Sequence, residues 1–224
     1  MIRFLKIVVF LACLVPLGLL LWGFFGATPF DMTTWGAGLG ANPIERITHA
    51  TGDWTLRFLL ITLSITPLRK LLNVPSLIRF RRMLGLFAFF YGSLHLMTYV
   101  WLDKFFAVRE MLADIAKRPF ITMGLTAFVL MIPLAITSTK AMVRRLGYKK
   151  WEFIHRAIYV TAILAVIHYL WLVKSDKTRP LRYGAVVAVL LLWRVGTWLR
   201  DRKKRQAQRT HLPREARSRV ETAS

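Results

Sequence analysis

Two histidines interrupt an otherwise apolar run from Trp151 to Val173, WEFIHRAIYVTAILAVIHYLWLV. Such a run is long enough to cross a bilayer, because about 20 residues at about 1.5 Å rise span the hydrocarbon core. An imidazole inside a membrane helix is costly, so His155 and His168 read first as functional groups facing a bundle interior. A neutral imidazole there suits metal ligation, and in a membrane helix bundle the metal of first choice is haem iron. The competing reading is a hydrogen-bonded core histidine. A third histidine, His95, lies in the apolar run LGLFAFFYGSLHLMTYVWL, and His49 lies near the start of another. His211 falls in a polar, basic tail and is expected to face solvent.

These side chains need helices to hold them. The chain has 224 residues, 55% of them hydrophobic, which is too apolar for a soluble domain and fits an all-α polytopic membrane bundle. Six spans are expected, at about 7–25, 47–68, 83–102, 119–136, 153–173 and 183–199, forming one domain over 1–199. A basic tail follows over 200–224. The first run is long for a signal-peptide core and no A-x-A-like site follows it, so it is expected to be retained. Gly26 to Glu45 reads as a loop, and Pro75, Arg79, Arg81 and Arg82 read as a short basic loop. The GAGLGA run at 36–41 has no preceding strand and no βαβ surroundings, so it is a poor match to a dinucleotide loop.

The net charge of +22 could suggest nucleic acid, but the cations sit in short clusters between apolar runs, as in loops facing anionic lipid. With the N-terminus inside, the inner segments (1–6, 68–82, 139–152, 199–224) hold 21 Lys and Arg, and the outer ones (27–46, 103–118, 174–182) hold 9. That bias places both termini in the cytoplasm. The outer loop with Lys174, Lys177 and Arg179 runs against it. Cys13 is the only cysteine, so disulfides and covalent c-type haem attachment are excluded.

Spans three and five run in the same direction, so depths compare. His95 lies 13 residues beyond Arg82 and His168 lies 18 beyond Lys150. These offsets are roughly 20 and 27 Å at helical rise, against roughly 8 Å for His155. A bis-histidine haem between His95 and His168 in the outer half follows as an expectation. Gly92, three residues before His95, would let a flat macrocycle approach; Ala165 and Ala162 make room on the His168 face. His155 is a further metal-ligand candidate whose role stays open between a second haem, a flavin or quinone contact, and a plain hydrogen bond. Where a second haem would want another histidine on span three, the sequence has Arg81 and Arg82. Asp53 and Arg57 have i,i+4 spacing: either a structural ion pair, or Arg57 neutralising a cofactor carboxylate or phosphate. Arg82 joins Arg57 among the cofactor-binding candidates, and His49 ranks behind the other histidines.

The segments ITHATGDWTLRFLL, ITPLRK, RRMLGLFAFFYGSLHLMTYVWL, TSTKAMVRRLGYKKWEFIHR and AILAVIHYLWLVK together resemble the MsrQ (YedZ) family over about residues 43 to 195. That family belongs to the ferric-reductase-like transmembrane group. The resemblance implies a haem b and FMN protein of the bacterial inner membrane, with His95, His155 and His168 matching the haem-associated histidines. It implies an electron-transfer subunit, taking electrons from the quinone pool and passing them to a periplasmic molybdopterin methionine-sulfoxide reductase, MsrP. Chemistry at sulfur would belong to that partner. The chain lacks the fourth histidine of the wider group and its soluble flavin–nicotinamide domain, which points away from direct NADPH use. Rival readings are a membrane ferric reductase or a cytochrome b serving another periplasmic oxidoreductase. From another class comes a non-redox transporter or assembly protein with structural histidines.

Overall fold

A computed structural model of the chain describes residues 2–26 and 37–210, all of whose regular elements are helical. His211, the rest of the tail and Gly36 of the GAGLGA run lie outside the described residues. In order the helices are α1 (Ile2–Phe25), α2 (Pro43–Leu71), α3 (Ile78–Met97), α4 (Val108–Lys117) and α5 (Pro119–Ile136). Then come α6 (Lys140–Leu146), α7 (Tyr148–His155), α8 (Ala157–Leu172) and α9 (Thr178–Thr210). A π-helical stretch, Thr98–Asp103, extends α3.

Five stretches are long and apolar enough to cross a membrane: Ile2–Phe25, Pro75–Asp103, Pro119–Ile136, Tyr148–Leu172 and Thr178–Lys204. The expected second span is α2, which at 29 residues has the length but is diluted by hydroxyl residues, Asp53 and Arg57. It can be less greasy because protein, not lipid, covers it: Leu56, Phe58, Leu59, Leu60, Leu63 and Ile65 are all buried. Its hydroxyls satisfy themselves locally, Thr55, Thr62 and Ser64 each donating to the carbonyl four residues back. The helix starts cleanly. The Asn42 side chain accepts from the Glu45 amide while its own amide donates to the Glu45 carboxylate, and Pro43 follows at the first helical position.

Two expectations need correction. Arg79, Arg81 and Arg82 are not in a loop: after the 3-10 turn Pro75–Leu77 they form the first two turns of α3. Pro75 can open a helical turn because its missing N–H is one that a helix start leaves unpaired anyway. The fifth span is also not one uniform helix. It tightens at Arg156, whose amide donates to both Glu152 and Phe153 carbonyls, so α7 and α8 meet at a break just after His155.

The core is an aromatic column between α2 and α3, with Phe58 stacked on Tyr91 at 5.3 Å and on Phe87 at 5.8 Å. Phe89 stacks on Phe128 of α5 at 5.5 Å and joins the next helix. Tyr91 also fixes α1. Its hydroxyl accepts from the Leu17 amide (3.1 Å) and donates to the Cys13 carbonyl (2.9 Å), beside Pro16, which supplies no amide to the ladder. Replacing Tyr91 by Phe strips both bonds from buried partners. The expected cost is about 1–3 kcal/mol, read from denaturant unfolding in detergent; wild-type stability would show that α1 docks without them.

At the far end of α3, α4 is clamped back. The Asp114 carboxylate accepts from Lys104 (2.8 Å), Arg118 (3.3 Å) and the Tyr99 hydroxyl (3.1 Å). The bond to Lys104 holds the Asp114 carboxyl below its usual range, and the same bond raises the Lys104 ammonium. The Asp114 contribution is thus complete above the ordinary carboxylate range, near pH 4, and is lost as pH falls through its lowered value. The Lys104 contribution is complete below about pH 10 and is lost as pH rises through its raised value. Asp114→Asn is expected to loosen α4 near neutral pH and to flatten the acid limb of stability; hydrogen exchange of the α4 amides measures both.

Candidate metal centre

The helices pack as two principal pairs, α2 along α3 and α5 along α8. Each pair contributes one histidine to the space between them. His95 comes from the last turn of α3 and His168 from the last turns of α8. Their ring centroids are 6.1 Å apart and their planes stand at 76°.

The partner helix fixes each ring. His95 Nδ1 lies 2.9 Å from the Thr48 carbonyl on α2, and His168 Nδ1 lies 2.6 Å from the Phe120 carbonyl on α5. A carbonyl only accepts, so both Nδ1 atoms carry the proton and both Nε2 lone pairs are left for a ligand. Locking the tautomer through the second nitrogen is how metal-binding histidines are oriented. The same two helices also leave the space. Gly52 follows Thr48 by one helical turn, and a Cβ there would sit 3.0 Å from the His95 ring. Gly124 follows Phe120 by one turn, and its Cβ would sit 2.7 Å from His168 Nδ1. Each slot is therefore a carbonyl with a glycine four residues later.

Two imidazoles that shared one metal, with bonds of about 2.0–2.1 Å and nitrogens about 1 Å from the ring centres, would have centroids at most about 6 Å apart. The observed spacing fits. Among the described residues no three His, Cys, Asp or Glu side chains gather to share a metal, so a closed four-ligand protein site is not built here. The donor set suits a metal that brings its own equatorial ligands, as haem iron does.

The other candidates lie elsewhere. His155 is held by its own neighbourhood: Nε2 is 3.0 Å from the Thr137 hydroxyl, and the ring lies 4.2 Å from that of Trp151. Because Thr137 donates to the Pro133 carbonyl (2.6 Å), it accepts from His155 Nε2–H. Gly92 lies among Thr55, Phe128 and Met131, where a Cβ would make contacts of 3.4–3.8 Å. Arg57 pairs with Asp53 (3.5 Å), donates to the Tyr183 hydroxyl (3.0 Å) and stacks over Trp54. His49 lines a cavity of about 320 Å³ with Asp53, Trp54 and Arg57. Arg82 is exposed, at the opposite end of α3 from His95.

A family described as ferric reductase like transmembrane component matches residues 51–166, a stretch that contains His95 and His155 and ends two residues before His168. A protein of Herminiimonas arsenicoxydans is 54% identical over 204 residues, covering 90% of this chain and 89% of its own length. One from Azospira oryzae is 57% identical over 72% of this chain and 70% of its own. One from Xanthomonas campestris is 48% identical over 93% and 92%. All three are named as the haem-binding subunit MsrQ of protein-methionine-sulfoxide reductase. The chain belongs to the MsrQ family. Within this family's ferric-reductase-like transmembrane architecture, the five apolar stretches make it a multi-pass membrane protein. Gly52, Gly124 and the carbonyls of Thr48 and Phe120 are additional to the residues singled out by type and spacing. The only sequence signal for them is a glycine inside a helix, four residues after a position that any residue can fill.

Proposed function

We propose that this MsrQ-family chain is the haem b electron-transfer subunit of a methionine-sulfoxide repair system. In this reading it passes electrons from the quinone pool to a periplasmic molybdopterin reductase of the MsrP kind. The observation that carries it is the His95–His168 pair: two imidazoles 6.1 Å apart, each with Nδ1 committed to a carbonyl. Both would hold the iron through Nε2, and the bound haem would supply a one-electron couple. The chain's own contribution is orientation and access. Thr48 and Phe120 lock the rings, and Gly52 and Gly124 keep the ring slots open.

The rest of the reading follows from the same frame. α2 is a sixth span, both termini are cytoplasmic, the membrane is the bacterial inner membrane, and 1–199 forms the haem domain. The His pair then lies toward the periplasm, within reach of an acceptor there. FMN is a second cofactor, with Arg82 as an anchor for its phosphate, and Gly92 allows close approach on the His95 helix. His155 is a third ligand candidate, whose unprotonated Nδ1 carries the available lone pair, since its Nε2–H is spent on Thr137.

Dithionite difference spectra and haem quantification of the purified protein test the cofactor. Reoxidation of the reduced protein should require both the periplasmic reductase and methionine sulfoxide. Reoxidation by a ferric chelate alone would favour a ferric reductase, and absence of a b-type spectrum would leave only a non-redox role.

A further inference from the structure

Beside the histidine pair lies a cationic cleft that electron transfer does not use. One cavity of about 420 Å³ is lined by Arg57, Arg179, Arg182, Tyr183 and Val186. It adjoins the smaller cavity of Arg46, His49 and Asp53 through the shared Arg57 and Arg179. Four guanidiniums meet two carboxylates here: Asp53, paired with Arg57, and Asp176, whose charge faces Arg179 and Arg182 while its side chain accepts from the Thr178 amide. Among the described residues the side chains of Arg46, Arg179 and Arg182 make no hydrogen bond or salt bridge, so the cluster has an unmet demand for an anion. The Tyr183 hydroxyl accepts from Arg57 Nε, which leaves its own O–H to donate.

The surroundings decide which anion. Arg182 and Val186 are four apart on α9 and Val189 follows three later, so the cleft runs directly onto an exposed apolar helix face. Converging guanidiniums over an apolar stripe match a molecule with a phosphate at one end and hydrocarbon at the other. We infer that the cleft of Arg57, Arg179, Arg182 and Tyr183 binds the phosphate of an anionic phospholipid whose acyl chains lie along the Val186–Val189 face of α9. The site does not depend on which termini are cytoplasmic. It abuts the metal centre: Asp53 follows Gly52, and Tyr169, 6.1 Å ring to ring from Tyr183, follows His168.

Native mass spectrometry of the full chain after detergent delipidation tests this. The expected result is one retained phosphatidylglycerol, with phosphatidylcholine lost, and retention falling on the order of tenfold in the double variant Arg179→Gln/Arg182→Gln. Wild-type protein should also melt at higher temperature in nanodiscs containing phosphatidylglycerol than in phosphatidylcholine alone, a comparison that needs no variant. Equal retention of both lipids, or equal melting, overturns the proposal. So does displacement of the lipid by glycerol phosphate at equal concentration, which would make the site one for a free phosphate. If the double variant keeps its phosphatidylglycerol and loses cross-linking to an acidic soluble partner instead, the cleft is a protein-docking surface and the lipid assignment is wrong.

Discussion

Replacing His168 by alanine is expected to lower haem retained per chain by more than about tenfold, and His95→Ala should do the same. The proposed site has two imidazole donors and, among the described residues, no third side chain gathered with them, so removing either would leave the metal with a single protein ligand. The loss should be matched by collapse of the low-spin b-type spectrum. His155→Ala should leave that spectrum standing, because its ring is bound to Thr137 and packed on Trp151. Full haem retention in His95→Ala or His168→Ala would refute the pairing. Equal loss in all three would show that His155 is a ligand as well.

The second large effect is expected at a residue that touches no metal. In Gly124→Ala the new Cβ would lie 2.7 Å from His168 Nδ1, closer than real contacts allow, so the ring must leave its carbonyl or the helices must part. Losing the orienting bond of a metal-bound histidine typically costs 10- to 100-fold in affinity, and about that loss of haem retention is expected. Gly52→Ala is milder by geometry, at 3.0 Å, and should shift the spectrum or potential before it empties the site. A readout separates this from simple misfolding. The variants should keep wild-type expression and helicity while their haem dissociates faster. Unchanged haem dissociation in Gly124→Ala would show that α5 yields at no cost and that the slot is not a positioning device.

The resemblance and the residue chemistry agree on the histidines for different reasons. An imidazole in a membrane helix must be explained, so His95, His155 and His168 stand out from composition alone. Counting residues from the basic helix ends then matched His95 with His168 in depth, because helical rise is constant. Such counting does not show the break between α7 and α8 at Arg156. The basic cluster before span three likewise read as a loop because charge and Pro75 suggest one, whereas the chain rewinds into α3 immediately.

The sequence by itself determined the helical class, five of the six expected apolar spans and the three histidines that interrupt apolar runs, because each follows from local periodicity and from the cost of burying a polar group. Only the tertiary structure decided which of them face each other and what holds them. The Thr48 and Phe120 carbonyls carry no side-chain signature, and Gly52 and Gly124 matter only once a ring from another helix lies against them. The clustering of Arg46 and Arg57 with Arg179 and Arg182 was equally invisible, since more than a hundred residues separate the two halves and packing alone joins them.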